Sequence, residues 1–167
     1  RGASPATAAF SSSLLWLGLA AGCLVIPALS DKIERRKMPI VIGIAVQLAC
    51  AGALLYLPSI SIPVAMALNF LFGFANAAHM LCFSSAADVV PPQLIGTSAA
   101  FVNGLAFIAG GIMIAAPGSR VVSGMAAGLT DHTLAIAEYA ATPITYSLIA
   151  SFVLALIMKE SHPARRR

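Results

Sequence analysis

Five apolar stretches, each long enough to cross a lipid bilayer, constrain this chain more than any other feature. They cover approximately residues 10–29, 38–57, 62–85, 94–116 and 135–158. A helix rises 1.5 Å per residue, so about 20 apolar residues span the hydrocarbon core. Hydrophobic residues make up 59% of the chain and charged residues 10%, whereas a soluble domain carries about 25% charged residues. The sequence therefore predicts an all-α fold, a polytopic bundle of about five transmembrane helices in a single unit over residues 1–167.

The breaks between these stretches consist of prolines, glycines and charged residues. Proline ends a helix because it lacks the N–H that the helix interior needs, so we expect helix ends at Pro58 and ahead of Pro117. The segment 119–132 is ambiguous. It fits either a loop with a short interfacial helix or a tilted extension of the fourth stretch.

Basic residues predict the orientation of the bundle. Eight of the ten follow the first or the fifth stretch: Lys32, Arg35, Arg36, Lys37, Lys159, Arg165, Arg166 and Arg167. With five crossings both groups lie on one face, and only Arg1 and Arg120 lie on the other. Cytoplasmic loops of membrane proteins are enriched in lysine and arginine. We therefore predict an integral protein of the plasma or bacterial inner membrane, with loop 30–37 and the basic tail 159–167 in the cytoplasm.

The same bias accounts for the net charge of +4, so we expect the lipid bilayer, and no nucleic acid, as a partner. Cys23, Cys50 and Cys82 lie within apolar stretches without metal-ligand spacing. No paired carboxylates, Ser/His/Asp arrangement or phosphate-binding glycine loop is recognisable. We predict no metal site, no cofactor and no enzymatic activity.

Polar side chains within the apolar stretches are the candidate solute contacts. Asn69, Asn76 and His79 are separated by seven and three residues, so a helix places all three on one face. Polar groups at bilayer depth normally face the bundle interior or a water-filled cavity. We therefore predict that these residues line a substrate cavity together with Asn103 and Trp16. The alternative for the trio is hydrogen bonding between helices, and His79 is also a candidate for proton transfer.

Two motifs resemble the major facilitator superfamily of transporters. The sequence LGLAAG at 17–22, followed by SDKIERRK at 30–37, resembles the cytoplasmic loop signature of that family. The sequence VPPQLIGTS at 90–98, with Asn103 and Gly110-Gly111 after it, is similar to the family's loop from helix ten into helix eleven. In order, the five stretches resemble helices eight to twelve. The chain departs from the pattern at Glu34 and Pro27, where the family prefers glycine.

The resemblance implies a secondary-active permease that moves a small polar solute by alternating access. A proton or a sodium ion would be the coupling ion of such a symporter, and the missing N-terminal half of the transporter would be a partner. The resemblance also implies that Asp31 docks against the start of helix eleven, at Gly96-Thr97-Ser98, and against Arg35 or Arg36. A carboxylate at a helix N-terminus gains about 0.3–1 kcal/mol, and such a contact can favour one gate state.

Alternatives remain for the role of loop 30–37 and for the function of the protein. The charged loop would otherwise be only a solvated topology signal. A permease-like sensor or partner-binding remnant is the second functional hypothesis. An intramembrane enzyme is a third, with His79 and Asn103 as its only plausible pair.

Overall fold

The computed structural model describes residues 3–57, 59–130 and 133–165, and within these ranges it contains α-helices and short 3-10 turns but no strand. The helices are α1 (Pro5–Lys32), α2 (Lys37–Tyr56), α3 (Ile62–Asn76), α4 (Met80–Ala87), α5 (Ile95–Ala126) and α6 (Leu134–Ile157). Three 3-10 turns lie at Ala77–His79, Pro92–Leu94 and Pro163–Arg165. Predictions that concern Arg1, Pro58, Asp131-His132, Arg166 and Arg167 lie outside the described residues.

Five membrane-length helices are present in the described part, because the first 3-10 turn joins α3 and α4 into one span, Ile62–Ala87. The predicted all-α fold with five candidate spans is thereby confirmed. The first helix is longer than the predicted 10–29. Ser4 caps it by accepting a hydrogen bond from the backbone N–H of Thr7 at 3.2 Å, and Pro5 occupies its first turn. These residues form a standard helix start.

The fourth span is the main correction to the predicted boundaries. Its helix does not end ahead of Pro117 but continues to Ala126, so the segment from 119 onward extends the span. Prolines are tolerated within transmembrane helices because neighbouring groups compensate for the lost hydrogen bond. Gly128, two residues after the helix end, has a φ of +92° and stops the helix. The backbone N–H of Gly128 donates to Met125 and that of Leu129 to Gly124, forming a Schellman motif.

The seam between α1 and α3 is the closest helix contact in the bundle. A Cβ atom at Gly18 or Gly22 of α1 would overlap the carbonyl oxygen of Phe70 or Phe74 on α3. In return, a Cβ atom at Gly73 of α3 would overlap the carbonyl oxygen of Leu15. Small residues four apart allow membrane helices to approach to backbone contact. Glycine therefore fixes the position of α3, which carries the predicted polar face.

The remaining helices are arranged around this pair. Helix α2 packs on α3 and α6, and α5 packs on α6 and α4. The buried core lies where α1, α2, α6 and the first 3-10 turn meet, and its members are Ile26, Ile40, Ala77, Ala78, Leu81 and Ala155. Helix α5, in contrast, buries only Gly124. The bundle is therefore tightly packed between α1 and α3, whereas most of the surface of α5 is exposed.

Candidate functional site

A cavity of about 630 Å³ lies between α2, the turn that joins α3 to α4, and α6. Its polar lining consists of Gln47, Asn76, His79, Cys82 and Ser151. Its apolar lining includes Ile44, Leu148 and Met158. The volume is that of a small-molecule site, and a few polar groups on an apolar wall are typical of such sites.

The 3-10 turn at Ala77–His79 positions two of the predicted residues in this cavity. The ring Nδ1 of His79 lies 2.7 Å from the carbonyl oxygen of Asn76. A carbonyl can only accept a hydrogen bond, so Nδ1 carries the proton. In the neutral ring Nε2 is then an acceptor, and it becomes a donor when the ring is protonated. His79 can therefore present either an acceptor or a cationic donor to a solute.

Gln47 contributes a third polar group, from α2. It is 7% exposed, and its side-chain amide donates to the carbonyl oxygen of Gly43 at 3.4 Å. Its place in the cavity, like that of Ser151, depends on how α2 and α6 approach α3, which local sequence patterns do not show.

The other predicted cavity residues lie elsewhere in the described bundle. Asn69 faces α1, where its amide donates to the Ser11 hydroxyl at 2.9 Å. The same amide also donates to the Ala65 carbonyl of its own helix at 3.1 Å. Asn103 is exposed on α5, and Trp16 is 68% exposed on α1. None of the three lines the cavity. Asn69 instead makes the interhelical hydrogen bond that was the alternative for the trio.

A charged cluster lies at one end of the bundle, centred on Arg36. Its guanidinium Nε donates to Asp88 at 3.0 Å, and its Nη1 pairs with Asp31. The Arg36 side chain is 11% exposed and that of Asp88 16%, whereas that of Asp31 is 64% exposed. Burial acts to lower the pKa of Arg36, but the two carboxylates outweigh it and the pKa is raised. Arg36 therefore remains charged. It joins the loop before α2 to Asp31 at the end of α1 and to Asp88 after α4.

The loop before α2 folds around this arginine. The Ser30 hydroxyl donates to the carbonyl oxygen of Arg35 at 2.8 Å and accepts a hydrogen bond from Arg36 at 3.2 Å. The chain reverses at Glu34, whose φ of +54° is in the left-handed region. Glycine is the residue suited to that conformation, which gives a physical reason for the glycine that the resembled motif prefers there.

The carboxylate of Glu160 connects the end of α6 to the start of α2. It accepts hydrogen bonds from the backbone N–H groups of Arg36 at 2.8 Å and Lys37 at 3.2 Å. It also accepts from Ser161 and His162, both at 3.0 Å. Burial acts to raise the pKa of Glu160, but these four bonds outweigh it and the pKa is lowered. Loop 30–37 and the end of α6 therefore lie on the same face of the bundle.

The structure places Asp31 beside Arg36, one of the two arginines considered for it, and leaves Arg35 exposed. Among the described residues Asp31 makes no hydrogen bond to the start of α5. The carboxylate between α4 and α5 that does meet the loop is Asp88, which was not among the predicted gating residues. The sequence feature that could have identified Asp88 is its charge, since it is the only acidic residue between positions 35 and 130.

The chain is similar to the cyanate transport protein CynX of Escherichia coli (strain K12). The two are 35% identical over 111 residues, which is 64% of this chain and 28% of that protein. The chain therefore spans less than a third of the length of this relative. No family model matches the chain, and no solved structure matches it. The chain therefore combines five membrane-length helices with sequence similarity to part of a transport protein.

Proposed function

We propose that this chain is the C-terminal part of a secondary-active permease of the major facilitator superfamily, which moves a small polar solute by alternating access. The observation that carries the proposal is the cavity of about 630 Å³ in which Gln47, Asn76 and His79 meet between membrane-length helices. Polar groups at this depth are costly unless they serve a solute, an ion or a buried partner.

The solute would bind to the amides of Asn76 and Gln47 and to the imidazole of His79. Amide and imidazolium N–H groups donate to an anion, and amide oxygens accept from a neutral solute. The name of the similar protein suggests cyanate, a small anion, as the first solute to assay. A proton carried by His79 or a sodium ion would couple transport to an ion gradient.

The charged cluster would act as a gate at the cytoplasmic face. Arg36 joins the loop after α1 to Asp88, at the end of α4. Rocking of one helical bundle against another requires contacts that exist in one state and break in the other. We propose that the Arg36 pairs are such contacts, and that the N-terminal half of the transporter packs on the exposed faces of α1 and α5.

Uptake by the full-length protein in sealed vesicles tests the solute site. We expect Asn76→Ala and His79→Ala to raise the KM about tenfold or to abolish uptake, because each removes a polar contact in the cavity. Asn69→Ala is the matched control, since it removes an asparagine of the same helix whose partner is α1. Equal KM values for the Asn76 and Asn69 variants would contradict the proposal.

The gate has a separate test in Asp31→Asn. This change weakens the most exposed pair of the cluster, so we expect a lower maximal rate of uptake with little change in KM or in membrane insertion. Wild-type rates of uptake by the Asp31→Asn variant would contradict the gating role of Asp31.

Ion coupling is tested by imposing a proton gradient or a sodium gradient across the vesicle membrane. Uptake that responds to neither gradient would contradict it.

A further inference from the structure

We propose that a second cavity, at the membrane surface between α2 and α6, binds the headgroup of an anionic phospholipid. This cavity has a volume of about 500 Å³. It is lined by Arg35, Lys37, Met38, Val41, Ile42, Leu156, Glu160 and Arg165. It is separate from the solute cavity, and the inference rests on membrane insertion of the chain, not on transport.

The charges of this cavity favour an anion. Three cations, Arg35, Lys37 and Arg165, line it against one carboxylate. That carboxylate, Glu160, already accepts four backbone N–H groups. Its oxygens are therefore engaged, whereas the guanidinium groups of Arg35 and Arg165 belong to exposed residues. Arg36 does not line the cavity, and its charge is paired with Asp31 and Asp88.

The walls below these charges favour a lipid over a soluble anion. Met38, Val41, Ile42 and Leu156 form an apolar lining. Val41 lies four residues into α2 from Lys37, about 6 Å along the helix axis. The cavity therefore changes from cationic to apolar over the first turn of a membrane-length helix. A phospholipid has the same sequence of groups, an anionic head above apolar chains, and basic pockets between transmembrane helices are suited to such headgroups.

Lys37 shows how the site is preorganised. Its ammonium group donates to the carbonyl oxygen of Leu156 at 2.7 Å, which fixes the end of α6 beside the start of α2. One wall of the cavity thus depends on a contact between the two helices. Because this contact is structural, the variants that test the site leave Lys37 unchanged.

The test is native mass spectrometry of the full-length protein in detergent, titrated with phosphatidylglycerol and with phosphatidylcholine of the same acyl chains. We expect phosphatidylglycerol to bind at least tenfold more tightly. A cation that contacts the bound headgroup contributes about fivefold in affinity, so Arg35→Gln/Arg165→Gln should weaken phosphatidylglycerol binding about 25-fold. The control double variant Lys32→Gln/Lys159→Gln removes two exposed charges outside the cavity and should change binding less than about twofold.

Three results would overturn the inference. An equal loss in the control double variant would mean diffuse attraction to surface charge. Equal binding of both lipids would mean that the headgroup is not recognised. Displacement of the lipid by glycerol 3-phosphate at comparable concentration would mean that the site takes a soluble phosphate.

Discussion

Glycine has opposite surroundings in the seam between α1 and α3 and in the long helix α5. At Gly18, Gly22 and Gly73 the backbone of the opposing helix occupies the space that a Cβ atom would need. At Gly104, Gly110 and Gly111 of α5 no atom of another described segment lies within 4 Å of that space. The same residue type is therefore a requirement of packing on one side of the bundle and meets no neighbouring helix among the described residues on the other.

This contrast teaches that small residues in a membrane helix indicate a capacity for close approach, not a partner. Lipid chains are as apolar as leucine, so helices associate through close packing and hydrogen bonds. The seam has both, since Asn69 also bonds to Ser11 across it. Gly104, Gly110 and Gly111 of α5 have no such close approach among the described residues.

The largest expected effect comes from Gly73→Val, which breaks the seam. The new side chain would overlap the backbone of α1 at Leu15, and overpacking against backbone costs about 3 kcal/mol. We expect the thermal unfolding midpoint of the protein in detergent to fall by many degrees. Gly110→Val is the matched control and, in this chain without the proposed N-terminal half, should be close to neutral. Similar losses in both variants would contradict the contrast between the two regions.

The next effect concerns Asp88, which ties the chain ahead of α5 to the loop after α1. Asp88→Asn removes the more buried partner of Arg36, at a cost between those of surface and buried ion pairs, about 2 kcal/mol. Asp31→Asn should cost below about 0.5 kcal/mol, because Asp31 is mostly exposed. Denaturant titration gives the free energy of unfolding of both variants and checks which loses more. A larger loss for Asp31→Asn would mean that Asp31, and not Asp88, is the main partner of Arg36.

Glu160 links α6 to α2, and its contribution should depend on pH. Its pKa is lowered in the folded protein, so its stabilisation is present above the ordinary value of about 4.3. It is lost as the pH falls through the lowered pKa. Glu160→Gln should lose about 1 kcal/mol at pH 7.

Unfolding midpoints of the wild type and the Glu160→Gln variant, measured from pH 7 to pH 3, check this prediction. The two should converge as the medium becomes acidic. A constant difference over that range would mean that the carboxylate charge does not stabilise the contact between α6 and α2.

The smallest effect is a gain in stability from Glu34→Gly. The residue has a left-handed backbone, which costs a side-chain-bearing residue about 1–2 kcal/mol. The greater freedom of glycine in the unfolded chain offsets part of the relief, leaving about 0.5 kcal/mol. Glu34→Gln keeps the Cβ atom and should gain nothing. If both variants were equally stabilised, charge and not backbone conformation would be the cause.

Local sequence signals predicted the fold well, because the bilayer imposes a length on every crossing helix. The five spans followed from that requirement. The predicted end of α5 ahead of Pro117 was wrong, since a proline stops helices in water more reliably than in lipid. The true end, at Ala126 ahead of Gly128, depends on the backbone bonds of a Schellman motif, which a glycine in the sequence does not by itself establish.

The sites were less predictable, because they depend on which helices are neighbours. Helical spacing placed Asn69 and Asn76 on one face, yet Asn69 meets α1 and Asn76 lines the cavity with α2 and α6. Likewise Asp88 and Glu160 are 52 and 124 residues from Arg36 in the chain. Spacing along one helix does not determine contacts over such separations.

The five-crossing topology is tested most directly by finding which side of the membrane each end of the bundle faces. Single cysteines at Glu34, Ala164 and Ser59, in a variant without the three native cysteines, would be labelled in sealed vesicles with a maleimide that cannot cross the membrane. Five crossings predict that Glu34→Cys and Ala164→Cys react from the same side and Ser59→Cys from the opposite side. Reaction of positions 34 and 164 from opposite sides would contradict the account.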